Sequence, residues 1–202
     1  MTVDKGYSQN CEQGVINSLF PDHGRFLDAG AFDGRTFSNS LKLFERGWSG
    51  VLVEPSPKAF AGLEREYAGK DRVVLVNAAV AINPGEIDFF DSGGDAVSST
   101  EAAHAEKWEK GYGSKFEKIK VQAITWDHIM STYGSNFDFV NLDTESTNYQ
   151  LLQAFPFHEC TPLCMCIEHD SKIDEMMKIL SQYAYRIVYQ NGENIVVWNG
   201  PR

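Results

Sequence analysis

Phe26-Leu27-Asp28-Ala29-Gly30-Ala31-Phe32-Asp33-Gly34 is the stretch from which the rest of the chain is read. Phe26 and Leu27 suit the end of a buried strand, and Asp28 stops the apolar run. Gly30 and Gly34 follow, and the amphipathic stretch from Thr36 to Arg46, closed by Gly47, predicts a helix. Strand, glycine turn and helix form the first unit of a nucleotide-type α/β fold. The glycines allow a sharp turn and the close approach of a ligand. A helix N-terminus offers free N–H groups and the positive end of a dipole.

Asp28 decides which ligand such a turn would suit. A dinucleotide turn reads G-x-G-x-x-G, with its first glycine beside a pyrophosphate. Asp28 stands at that glycine's place, and a carboxylate repels a pyrophosphate but attracts a cation. S-adenosylmethionine carries an ammonium and a sulfonium, and its own carboxylate would suit the helix N-terminus. The alternative is an ordinary turn, in which Asp and Gly are common.

Working outward, Val51-Leu52-Val53 is a second buried strand that ends in Glu54-Pro55. An acid at this place in nucleotide folds bonds ribose hydroxyls. Glu54 falls 26 positions after Asp28, close to one strand–helix–strand repeat, and this second match favours the ligand reading over the turn. Pro57 to Ala68 is the next helix, with proline near its start. Arg72 to Val76 is a third strand, and Asn77-Ala78 follows where an adenine would sit. Before all of these, Tyr7 to Phe20 has helical spacing, with Ser8 as its N-cap.

The parallel pattern then pauses. Pro84-Gly85 is a turn, Glu86 to Asp91 alternates as a strand, and Ile119 to Ile124 alternates again. Between them Ser92 to Lys118 is polar, with Gly93, Gly94, Gly111 and Gly113, and with a short helix expected over Thr100 to Lys110. Such an excursion is either a lid or a loose surface loop. Trp108 and Tyr112 favour a lid, near whose acceptor one of them is expected. Asp127 to Tyr133 is a helix, and Phe137 to Leu142 is a fourth strand ending in Asp143-Thr144-Glu145. A helix over Asn148 to Phe155 leads to a fifth strand, Leu163 to Ile167, that ends in Glu168-His169-Asp170. Ser171 caps a helix from Lys172 to Tyr183. Strands Tyr185 to Tyr189 and Asn194 to Trp198 flank Asn191-Gly192, a hairpin signal.

The 202 residues suffice for one α/β domain with a substantial core. At 43% apolar and 23% charged, the composition is that of an ordinary globular protein. The formal net charge of −10, without a basic patch, argues against nucleic acid as a partner. There is no apolar run of membrane-spanning length and no signal-peptide core within Met1 to Asn10, so a cytoplasmic location is expected. Cys160, Cys164 and Cys166 form C-x3-C-x-C, which is not a zinc spacing. With Cys11 they read as buried free thiols, in keeping with a reducing compartment.

With these residues in place the sequence resembles the FkbM family of S-adenosylmethionine-dependent methyltransferases, from about Ser8 to Glu168. The resemblance rests on the stretch from Phe26 to Gly34 and on Thr36-Phe37-Ser38-Asn39-Ser40. Gly47-Trp48-Ser49-Gly50, Glu54-Pro55-Ser56-Pro57, Asn77-Ala78-Ala79-Val80, Ser98-Ser99 and Asn141-Leu142-Asp143-Thr144-Glu145 carry it further. The family usually follows that last acid pair with Gly and then another Glu, where this chain has Ser146 and Asn148. The resemblance implies a single domain over 1–202 with a Rossmann-like class I methyltransferase sheet. That sheet is mostly parallel, with a C-terminal antiparallel hairpin, an N-terminal helix at about 7–20 and an inserted strand–loop–strand segment at about 84–124. It further implies O-methylation of a hydroxyl on a sugar or small natural product. Carried over by position, Asp28, Gly30, Ala31 and Gly34 flank the methionine moiety. Glu54 and Pro55 hold the ribose, Asn77 and Ala78 border the adenine, and Asp143 faces the transferred methyl.

A hydroxyl is a poor nucleophile, so a general base or a metal would help. The candidates at strand ends are Asp143, Glu145 and His169, with Glu168 beside them. Two acids alone make a thin metal site, so no metal is assigned. His104, His128, His23 and His158 are expected at the surface. A module that binds the cofactor without turning it over is one rival reading, and a nicotinamide-dependent oxidoreductase is a weaker one.

Overall fold

Alternation decides the layering. In the buried strands of the main sheet, odd and even side chains enter two different apolar clusters. The computed structural model describes residues 6–93 and 96–201. Residues 1–5, at the start of the polar N-terminal stretch, and Gly94, in the insertion, lie outside the described residues.

In chain order the elements are α1 (Glu12–Leu19), β1 (Arg25–Ala29), α2 (Leu41–Glu45), β2 (Ser49–Val53), α3 (Pro57–Glu66), β3 (Val73–Val76), β4 (Ala79–Val80) and β5 (Gly85–Asp91). There follow α4 (Ala102–Tyr112), β6 (Glu117–Ile124), α5 (Trp126–Tyr133), β7 (Phe139–Leu142), α6 (Asn148–Gln153), β8 (Cys164–Glu168), α7 (Ile173–Leu180), β9 (Arg186–Gln190) and β10 (Asn194–Trp198).

The main sheet runs β3-β2-β1-β7-β8-β10-β9. Its first five strands are parallel to one another, and β10 pairs antiparallel with both β8 and β9. The expected hairpin is therefore present, with Asn191 Oδ1 accepting from the Glu193 and Asn194 N–H groups in its turn. The inserted strands do not join this sheet. β5 and β6 pair antiparallel with one another, and β6 pairs with β4, in a second sheet of three strands.

Leu27, Val51, Val140, Met165 and Ile195 face one layer, packed with Trp126, Ile129, Leu152 and Met176. Phe26, Leu52, Phe139, Cys164 and Val196 face the other, with Ile16, Leu41, Leu43 and Leu63. Cys164 and Cys166 point to that same side, and all four cysteines are free. Burial pushes the Cys160 thiol up to about 11, which favours the protonated thiol at neutral pH.

Two helices begin about a turn or more after their expected starts. The helix expected over Thr36 to Arg46 begins only at Leu41. Asp33 Oδ1 accepts from the Arg35 and Thr36 N–H groups, and Phe37 takes φ 58, so an Asx turn and a left-handed residue occupy the first turn. Ser38 Oγ then accepts from the Leu41 N–H. The first helix starts at Glu12 rather than near Tyr7, because Cys11 is left-handed at φ 73. Ser8 still serves the helix start, since its Oγ accepts from the Gln13 N–H.

Candidate active site

A cavity of about 470 Å³ opens at the carboxyl ends of β1, β2, β7 and β8. The strand order changes direction between β1 and β7, and ligands of open α/β sheets bind at such a switch point. The β1–β7 register sets Asp28 opposite Asn141, and the β7–β8 register sets Leu142 opposite Ile167. Asp143 and Glu168, each one residue further on, thus come together at the rim.

Asp28 forms part of the cavity wall but does not project from it. It is 2% exposed, and both of its oxygens are engaged. Ser40 Oγ donates to Oδ2 at 2.5 Å and Asn141 Nδ2 donates to Oδ1 at 2.9 Å. Asn39 Nδ2 in turn donates to Asn141 Oδ1 at 3.0 Å. Burial raises the Asp28 pKa, and the Ser40 and Asn141 hydrogen bonds work against it. The residue therefore ties the loop after β1 to β7.

Gly30 and Ala31 lie on the cavity wall, and both of their N–H groups donate to the Val53 carbonyl at 3.0 Å. Glu54 continues that wall from the end of β2. It is 6% exposed, and it accepts from the Phe32 N–H at 2.9 Å and the Ser56 N–H at 2.8 Å. Burial pushes its carboxyl up to about 7 despite those two bonds. Pro55 and Ala78 line the cavity too.

Two expected cofactor residues are not on the wall. Gly34, at φ 76, packs beneath α3, where an added Cβ would stand 2.6 Å from Leu63 Cδ1 and 2.8 Å from Tyr67 Cε2. Asn77 turns back, its Nδ2 donating to the Glu54 carbonyl at 2.8 Å and to the Pro55 carbonyl at 3.2 Å. The helix N-terminus expected to follow the glycine turn is also absent there, for the reason given above.

Asp143, Glu145 and Glu168 gather at the far side of the cavity, each with one carboxylate oxygen within 4.8 Å of the other two. Burial raises the pKa of all three, and mutual repulsion adds to this for Glu145 and Glu168. Glu145 and Ser146 follow one another with φ 52 and φ 77, a strained pair for residues with side chains. Asn148, fully buried, donates from Nδ2 to Glu168 Oε2 at 2.7 Å and accepts from the Thr144 N–H at 2.8 Å. Sequence reasoning named Glu168 only as an auxiliary. The signal was that β7 and β8 are neighbours ending in acids at matching register.

His169 does not reach the cavity wall, contrary to expectation. Its Nδ1 accepts from the Ser171 N–H at 3.0 Å, and its Nε2 stands 3.3 Å from the Asn191 carbonyl. Both ring nitrogens are thus committed to backbone, and the residue joins the β8 exit to the hairpin turn. His104, expected at the surface, is instead enclosed, with its side chain 8% exposed. Its Nδ1 lies 2.7 Å from Ser146 Oγ. Burial lowers its pKa, with the nearby Val97 carbonyl opposing.

The insertion lies against this site. Ala96, Val97, Ser98 and Thr100 line the cavity, and Ser99 Oγ donates to the Glu145 carbonyl at 2.6 Å. Trp108 reaches the wall from α4. Tyr112 does not, being 72% exposed with its ring 4.6 Å from that of Trp108. Among the described lining residues there are six carboxylate side chains, Asp28, Glu54, Asp143, Glu145, Glu168 and Glu193, and no lysine, arginine or histidine. The cavity therefore favours a cationic ligand over a phosphate-bearing one.

Comparison with known proteins agrees with this geometry. Residues 28–187 match the family described as methyltransferase FkbM domain. A crystal structure of methyltransferase FkbM from Methylobacillus flagellatus KT aligns with TM-score 0.58 at 14% identity. The alignment covers 89% of this chain and 44% of that one, so the chain spans less than half of that relative's length. Precorrin-6y C5,15-methyltransferase from Geobacter metallireducens GS-15 aligns with TM-score 0.54 at 11% identity, over 98% and 93% of the two chains. A conserved hypothetical protein of Streptococcus pyogenes aligns with TM-score 0.53 at 15% identity, over 93% and 95%. At such identities these structures share a fold with the chain. No curated protein sequence matches it.

Proposed function

Because the chain belongs to the FkbM methyltransferase family, we propose that its cavity binds S-adenosylmethionine and that it methylates a hydroxyl of an uncharged sugar or small natural product. The observation that supports this most is the wall of six carboxylates without a basic side chain. Such a wall fits a ligand with ammonium and sulfonium centres and disfavours a dinucleotide or a nucleic acid. The cofactor supplies an electrophilic methyl group on a sulfonium, which leaves as a neutral thioether when the acceptor oxygen takes the methyl.

The chain's own residues do the rest. Glu54, held by the Phe32 and Ser56 N–H groups, keeps lone pairs for ribose hydroxyls. Gly30 and Ala31 bring backbone close to the ligand, and Asp28 fixes their loop through Ser40 and Asn141. Asp143 accepts the acceptor's proton, since burial raises its carboxyl to about 7, while burial and repulsion push Glu145 and Glu168 further up and favour their protonated forms. Trp108 and residues 96–100 cover the cavity and limit water, and alignment of oxygen, methyl and sulfur supplies much of the acceleration. The six carboxylates also favour an uncharged acceptor over an anionic one. The testing experiment presents S-adenosylmethionine and a panel of neutral hydroxylated metabolites and glycans to the protein. Release of S-adenosylhomocysteine that depends on one acceptor is expected, and its absence across the panel would count against O-methylation.

A further inference from the structure

Asp143, Glu145 and Glu168, each partly exposed to the cavity, have one carboxyl oxygen apiece within 4.8 Å of one another, and they repel when ionised together. No lysine or arginine among the described residues forms an ion pair with Asp143, Glu145 or Glu168. Asn148 offers Glu168 a neutral donor, which adds no positive charge to the cluster.

A second observation comes from a different element. His104, on α4, has a side chain more than nine-tenths buried, and its Nε2 has no hydrogen-bond partner. That nitrogen stands 3.6 Å from Glu145 Oε2, one of the cluster's oxygens, in the same neighbourhood as the Val97 carbonyl. Its orientation is fixed at the other nitrogen by Ser146 Oγ, at 2.7 Å. Ser146 holds this place at φ 77, a conformation that glycine adopts without strain, so the hydroxyl is present at a conformational cost.

We propose that Asp143, Glu145 and Glu168 bind one divalent cation of the manganese or magnesium class, with His104 as a positioning residue that steadies Glu145. Carboxylate oxygens suit hard divalent ions, and an imidazole that orients a ligating carboxylate is a common outer partner. This deepens the function proposed above and rests on it. The acceptor oxygen binds the cation and becomes more acidic. Each carboxylate gives one oxygen to the cation and keeps the second, so the acceptor's proton passes to one of these. The oxygen then forms its bond to the methyl carbon as the carbon–sulfur bond breaks toward sulfur.

The test uses chelator-treated protein of residues 1–202 titrated with Mn²⁺ by calorimetry, with thermal melting in parallel. One Mn²⁺ per chain is expected, together with a rise in melting temperature. Glu168→Gln and Asp143→Asn should abolish both responses, while melting at or above the wild-type temperature without metal because repulsion is relieved. That second readout separates a lost site from a lost fold. His104→Ala should weaken Mn²⁺ by about 10-fold, the scale for a group that orients a ligand. No binding to the wild type, or equal binding to Glu168→Gln, would overturn the proposal. S-adenosylhomocysteine binding, measured in the same samples, separates failure here from failure of the cofactor assignment.

Discussion

Gly30 and the carbonyl of Asp143 are in such close contact that a Cβ on Gly30 would stand 1.7 Å from that oxygen. The loops leaving β1 and β7 are packed backbone to backbone, and the cavity wall on both sides depends on that approach. Gly30 is also at φ 91, so a side chain there meets both strain and collision. Gly30→Ala should lower stability by at least about 2 kcal/mol. Gly69, at φ 70 with nothing within 4 Å, is the control, and Gly69→Ala should cost only about 1 kcal/mol. Denaturant midpoints of the two variants check this, and equal losses would show that the contact is unimportant.

Glu54 should make stability fall as pH rises. Its folded pKa, about 7, lies above the ordinary carboxylate value of 4.5, so the folded state holds a proton that the unfolded state has released between those values. The contribution is full below about pH 4.5 and is lost as pH rises through about 7, with at most about 3 kcal/mol involved. Melting of wild type and Glu54→Gln from pH 4 to 8 isolates the residue. The wild type should lose stability relative to the variant across this range, and parallel curves would contradict the assignment.

Asp143 and His169 should separate in kinetics. Asp143→Asn should reduce turnover by about 10²-fold or more, the scale of a lost general base. His169→Ala should mainly lower stability, by about 1–3 kcal/mol, because its nitrogens serve the Ser171 N–H and face the Asn191 carbonyl. Rates and melts on a common acceptor decide it. A 10²-fold rate loss in His169→Ala at unchanged stability would return the imidazole to the reaction.

Trp108 should act on the acceptor. Trp108→Ala should raise KM for the acceptor severalfold and leave S-adenosylhomocysteine affinity within about twofold, since the ring reaches the cavity from α4 and not from β1 or β2. A large loss of cofactor affinity instead would place the ring against the cofactor.

The strands of the main sheet were legible in the sequence because buried strands are short apolar runs, and the acids that end them stand out. Asp28, Glu54, Asp143 and Glu168 were all found in this way. The segment after the glycine turn was misread because helical periodicity does not register an Asx turn at Asp33 or a left-handed Phe37. Gly34 and Asn77 share the motif but serve packing and backbone bonds, a distinction that only tertiary contacts make. His104 is expected at the surface yet enclosed, because its burial comes from the insertion folding over Ser146, 42 positions away.

The cofactor assignment is the claim on which the rest depends, and calorimetry with S-adenosylhomocysteine and NAD in separate titrations of the wild-type protein tests it most directly. Saturable one-to-one binding of S-adenosylhomocysteine is expected, with no heat from NAD. Binding of NAD without any response to S-adenosylhomocysteine would contradict it.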